Sequence, residues 1–149
     1  MSIINSLRIG ASALTAQRLR MDVIANNIAN LETTRTARGG PYRAARVVFA
    51  PIARRVDPVL SASTRAAASN TAAGGLQVVG IVEDGTPPRM VYNPSHPDAD
   101  ADGYVAYPNI DLVTEMTDLL SATRAYEANV TALNAVKAMA AKALEIGRG

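Results

Sequence analysis

Asp98-Ala99-Asp100-Ala101-Asp102-Gly103 sets three carboxylates at alternate positions ahead of a glycine, the pattern with which the first half of a calcium loop gathers oxygen ligands and turns. The second half is missing. Asn109 holds the place of the bidentate Glu, and Pro94 and His96-Pro97 stand where an entry helix would run, so a solvated acidic turn is the favoured reading. His96 is the single histidine, which leaves no material for a triad or a multi-histidine metal site. With no Cys, disulfides, thiolate zinc sites and a cysteine nucleophile are excluded. No carboxylate pair is placed as general acid and base, and no glycine-rich phosphate loop follows a strand. The expectation is a protein without catalytic residues, cofactor or metal.

Arg35, Arg38, Arg43, Arg46, Arg54, Arg55 and Arg65 make the span after residue 34 basic, with Asp57 opposing them. Such a patch suits nucleic acid, an acidic polymer such as peptidoglycan, or an acidic face of a partner subunit. Aromatic residues for base stacking amount to 4%, and the net charge is only +2, so a partner surface or a solvated face is preferred to nucleic acid. A basic binding module for nucleic acid or peptidoglycan is the competing function. Asn26, Asn27 and Asn30 are poor helix formers near a helix end and admit two readings. They cap a fraying terminus, or their amides are buried between helices and fix the packing register.

The elements that position these groups follow from periodicity. Ile4, Leu7, Ala11, Leu14, Arg18, Met21, Ala25 and Ile28 step by threes and fours through a proline-free stretch, predicting a helix ~40 Å long. Leu112, Met116, Leu119, Thr123, Tyr126, Val130, Leu133, Lys137, Ala140 and Leu144 repeat the pattern, with Asn109 or Asp111 as cap and Gly147 as stop. Between them lie β-type runs at Arg46 to Phe49, Leu76 to Val82, Arg89 to Tyr92 and Tyr104 to Tyr107, punctuated by Asp84-Gly85, Pro87-Pro88, Asn93-Pro94 and Asp102-Gly103. The predicted fold is α+β. Two long terminal α-helices pair as a coiled coil around a small β-rich middle domain: residues 1–34 form the first helix, 35–108 the middle with a mobile loop near 61–75, and 109–149 the last helix.

Apolar residues are not confined to one stripe. Ile3, Ile9, Leu19, Val23, Ile24 and Leu31 lie off the first, and Val113, Leu120 and Val136 lie off the second. Ala125, Ala128, Ala132, Ala135, Ala138, Ala141 and Ala143 add small surfaces that suit close backbone approach. A helix apolar on several sides needs several neighbours, more than a thin middle domain with one Phe and no Trp supplies, so assembly is expected. No stretch approaches the ~18 consecutive apolar residues of a membrane span. Met1 to Ser6 also lacks the basic start and apolar run of a cleaved secretion signal.

Ala25-Asn26-Asn27-Ile28-Ala29-Asn30-Leu31-Glu32-Thr33-Thr34 closely resembles the N-terminal signature of bacterial flagellar rod and hook proteins. Gly39-Gly40-Pro41-Tyr42-Arg43, Gly80 to Asp84, Asn93 to Asp100, Asp102 to Val105 and Tyr107-Pro108-Asn109 are similar to the proximal-rod members of that family, and Ser121 to Val130 completes the pattern. The likeness runs in order through nearly the whole chain. Many relatives carry Pro-Gly-Phe after the Asn-rich signature. Here Thr33-Thr34-Arg35-Thr36 follows, which favours the proximal rod over the hook or distal rod.

The resemblance implies a torque-transmitting rod subunit of the flagellar basal body, exported through the flagellar type III apparatus without cleavage and assembled across the periplasm. It implies that the terminal helices form the inner tube of the rod and that the middle domain faces outward. The implied partners are copies of the chain in a helical rod, other rod proteins, and the proteins linking rod to MS ring, export gate and hook. Helix packing and assembly are expected of Leu7, Leu14, Met21, Asn26, Asn27, Ile28, Asn30, Leu119, Tyr126, Asn129, Val130 and Leu133.

Overall fold

The computed structural model describes residues 3–52 and 74–147; Arg54, Arg55, Arg65 and most of the predicted 61–75 loop lie outside the described residues. Helix α1 spans Ile3–Ala29. It stops where Asn30 turns the chain. The Asn30 N–H donates to the Asn26 carbonyl at 3.1 Å, its side-chain amide donates to the same carbonyl at 2.9 Å, and Thr33 N–H reaches the Asn30 carbonyl at 3.1 Å. These bonds satisfy the last helical carbonyls that would otherwise be orphaned.

The runs rich in β-branched residues become strands β1 (Ala45–Pro51), β2 (Leu76–Glu83), β3 (Arg89–Tyr92) and β4 (Tyr104–Tyr107). They form two separate antiparallel ribbons, β1 with β2 and β3 with β4. In the first ribbon Val48 opposes Gly80 and Phe49 opposes Val78, so Val79 bulges without a partner. In the second, Gly103 takes φ +80° at the turn, where an added Cβ would meet the Tyr92 ring at 3.0 Å and Pro94 at 3.2 Å, so only glycine fits.

Helix α2 spans Leu112–Ile146 and is capped by Asp111, whose carboxylate accepts from the amides of Val113 at 3.4 Å and Thr114 at 3.2 Å. The bonds from Thr114, and then that from Val113, hold the Asp111 carboxyl below its ordinary value of 3.8.

α1 packs against α2 on one flank and against β1 and β2 on another. The helices are antiparallel: Gly10 meets Leu133, Met21 meets Thr123, and Asn27 meets Glu115. At Gly10 the backbones come so close that a Cβ would lie 2.6 Å from a Leu133 methyl. With 27 and 35 residues, the helices differ in length by about 12 Å, and α2 outruns α1 near the chain ends.

Of its predicted stripe α2 half-buries Leu119, Thr123, Tyr126, Val130, Leu133 and Ala140, beside buried Glu115 and Ala122, and leaves Leu112, Met116, Lys137 and Leu144 exposed. α1 differs. Its buried residues are Ala16, Val23, Ile24 and Asn27, whereas Ile4, Leu7, Ala11, Arg18 and Ala25 of its predicted stripe are exposed. The reason is the second neighbour, because a helix wedged between α2 and the β1–β2 ribbon turns inward the sector lying between the two.

Candidate assembly surface

The junction of α1, α2 and β1 is organised by Asn27, which is 1% exposed. Its Nδ2 donates to the Ala45 carbonyl at 2.9 Å and to Glu115 Oε2 at 3.1 Å. Its Oδ1 accepts from the Ala45 N–H at 2.9 Å and from the Tyr42 hydroxyl at 3.1 Å. A side-chain amide has the donor and acceptor of a peptide group, so Asn27 pairs with Ala45 as a neighbouring strand residue would. Glu115 is itself buried and ties α2 to the same point. Burial, then the Glu115 carboxylate, then that of Glu83, push the Tyr42 hydroxyl above its ordinary value of 10.0. Further along the helix pair, Arg20 and Asp118 pair at 3.3 Å with both side chains partly in water.

The neighbouring asparagines behave differently. Asn26 is exposed, and its Oδ1 accepts from Asn30 Nδ2 at 2.7 Å, so these two close the helix end. Asn129 turns back on its own helix and donates to the Ala125 carbonyl at 2.9 Å. Of the apolar candidates, Leu14, Met21, Ile28, Leu119, Tyr126, Val130 and Leu133 are half-buried and Leu7 is exposed. Met21 meets Thr123, whose hydroxyl lies 3.6 Å from the sulfur, and Leu133 sits over Gly10. Sequence reasoning did not single out Gly10, Tyr42 or Glu115. Gly10 carried a signal, since a helical glycine costs about 1 kcal/mol against alanine and marks a close approach.

Among the described residues, Asp98 and Asp100 of the acidic run and Arg35, Arg38 and Arg46 of the basic span have partners within the chain. Asp100 Oδ1 accepts from the amides of Asp102 at 3.0 Å and Tyr104 at 2.8 Å, which builds the β3–β4 turn. Asp98 accepts from the Thr34 hydroxyl at 2.8 Å and pairs with Arg35 at 3.6 Å, tying that turn to the segment after α1. His96 Nδ1 accepts from the Asp98 N–H at 3.1 Å, and its ring meets Tyr107 edge-on. Arg38 pairs with Glu83 at 2.9 Å and Arg46 with Asp84 at 3.9 Å, so much of the described basic span is matched by carboxylates within the chain.

A chain from Bacillus subtilis called flagellar basal-body rod protein FlgC is 46% identical over 152 residues, covering 99% of this chain and 100% of that one. The protein of the same name from Borreliella burgdorferi is 45% identical, covering the whole of both chains, and that from Salmonella typhimurium is 42% identical, covering 99% of this chain and 100% of its own. The chain belongs to the FlgC family of flagellar basal-body rod proteins. Two family models also match, flagella basal body rod protein at residues 7–35 and flagellar basal body rod FlgEFG protein C-terminal at residues 101–146. Asn27 falls in the first and Glu115 in the second, so the buried contact joins the two segments by which a FlgC chain is matched. The family does not favour the basic binding module, and the internal pairing of Arg35, Arg38 and Arg46 agrees with that.

Proposed function

We propose that this chain is a structural, non-catalytic subunit of the bacterial flagellar proximal rod, polymerising through its terminal helices to pass motor torque toward hook and filament. Membership of the FlgC family supports the rod assignment. The observation that carries polymerisation is apolar helix surface left outside the chain's own core. Val113, Met116 and Leu120 follow at helical spacing on one face of α2 and are 71%, 58% and 52% exposed.

In this reading the terminal segments, 1–34 and 109–149, pair through α1 and α2 as a coiled coil in the inner tube, and residues 35–108 face outward. Neighbours are copies of the chain, other rod proteins and the components joining the rod to MS ring and export gate. The subunit reaches the periplasm by flagellar type III export with its N-terminus uncleaved. Among the described residues no helix is long and apolar enough to cross a membrane.

Leu14 and Leu133 are the test positions. Replacing either with Asp abolishes rod assembly and swimming, read by imaging isolated basal bodies and by motility plates. A strain carrying either change that builds full rods and swims removes the assigned packing surface.

A further inference from the structure

α1 is bonded to the β1–β2 ribbon at two points, one near each end of their contact. At one end Ala45, the first residue of β1, pairs both its N–H and its carbonyl with the Asn27 side chain. At the other end Leu76, the first residue of β2, donates its N–H to Ser12 Oγ at 3.1 Å. The Ser12 hydroxyl donates its own proton to the Ile9 carbonyl at 2.7 Å, within the helix, which leaves an oxygen lone pair directed at the ribbon. Gly75 makes room for this contact. A Cβ there would lie 2.6 Å from Ser12 Oγ, and its φ of +128° is one that favours glycine.

Helix and ribbon are matched in length between these points. Ser12 and Asn27 are fifteen residues apart, about 22 Å along a helix. Ala45 to Pro51, with Leu76 opposite Pro51, covers about 20 Å of strand running the other way. Both bonds are therefore made without stretching either element. Between them Ala16 and Val23 continue the stripe from Ser12 to Asn27 at steps of four, seven and four, and both are buried.

We infer that Ser12 and Asn27 are paired pins that fix the angle of the β1–β2 ribbon on α1, so that helix and ribbon turn as one rigid body. Apolar burial is non-directional and by itself selects no single angle. One directional bond stops sliding, and a second, about 20 Å away, stops rotation about the first. Because Asn27 also bonds Glu115 of α2, the exposed Val79 and Ile81 of β2 and the exposed Val113, Met116 and Leu120 of α2 are held in one mutual geometry. The pins belong to the free chain and do not depend on the rod assignment.

The absence of native cysteine allows spin labels at chosen pairs of positions. Arg18→Cys with Gln77→Cys reads the Ser12 end of the ribbon, and Arg18→Cys with Val82→Cys reads the Asn27 end; all three side chains are exposed. In the isolated chain, pulsed dipolar spectroscopy gives a narrow distance distribution for both pairs. Ser12→Ala broadens the first and leaves the second narrow, and Asn27→Ala does the reverse. Gly75→Ala, whose added methyl displaces the Ser12 hydroxyl, reproduces Ser12→Ala. Distributions that stay narrow at the Ser12 end in these two variants, or that broaden equally at both ends, overturn the pins. Ser12→Ala and Gly75→Ala leave the Asn27 junction untouched, so the result stands even where Asn27→Ala unfolds the chain.

Discussion

At the scale of single residues, the informative position is Asn27. Its amide orientation follows from the backbone, since Ala45 presents a donor and an acceptor to it and exchanging O and N would break both bonds. Asn27→Ala leaves the Ala45 peptide groups and the Tyr42 hydroxyl without their partner and is expected to cost about 2–4 kcal/mol in denaturant titration. Asn27→Asp sets a second carboxylate beside Glu115, where one of the two is driven to hold a proton. Its folded value rises above the unfolded one, so the contribution of that carboxyl is present below the ordinary carboxylate range and is lost as pH climbs through the raised value. Tyr42 obeys the same sign. Its hydroxyl ionises above 10.0 in the fold, so its contribution is complete below 10.0 and disappears as pH rises through the raised value. Thermal melts in alkaline buffer show this decline in the native chain and a shallower one in Tyr42→Phe.

At the scale of elements, α2 depends on its start. Asp111 is ordered by the amides of its first turn, and its carboxyl lies below 3.8 in the folded chain. A depressed value gives stability that is present above 3.8 and is lost as pH falls through the folded value. Melts of the native chain therefore drop in acid. Asp111→Asn keeps a capping oxygen but removes the titration, and its melts flatten over that range, whereas Asp111→Ala lowers stability at neutral pH as well. The ribbons were readable run by run from β-branched residues and turn dipeptides. Their pairing into two separate ribbons, with a bulge at Val79, was not readable, because register depends on which face meets a neighbour.

At the scale of the whole molecule, the core is thin. Among the described residues the buried apolar side chains are Ala16, Val23, Ile24, Ala44, Val105 and Ala122, and large ones such as Met116, Leu120 and Leu144 remain outside. A chain that folds on so little and exposes so much is suited to completion by neighbours. Leu120→Asp separates the two tasks. Its side chain is 52% exposed, so the isolated chain keeps its melting temperature within about 0.5 kcal/mol of stability, while rods carrying it assemble poorly and cells swim less. Unchanged swimming, or a collapsed fold, contradicts that separation.

Periodicity and local chemistry were enough to place both helices, the strand runs and the Asn-rich helix end, and to narrow the α2 cap to Asn109 or Asp111, because each depends on residues a few positions apart. They were not enough to say which side of α1 is inside. With apolar residues on several sides, a stripe gives spacing but no azimuth, and the β1–β2 ribbon turns Val23 and Ile24 inward while Leu7 stays in water. Nor could they tell Asn27 from Asn26 and Asn30. That distinction came from Ala45 and from Glu115, the latter 88 residues away, which only the folded chain brings within hydrogen-bonding distance.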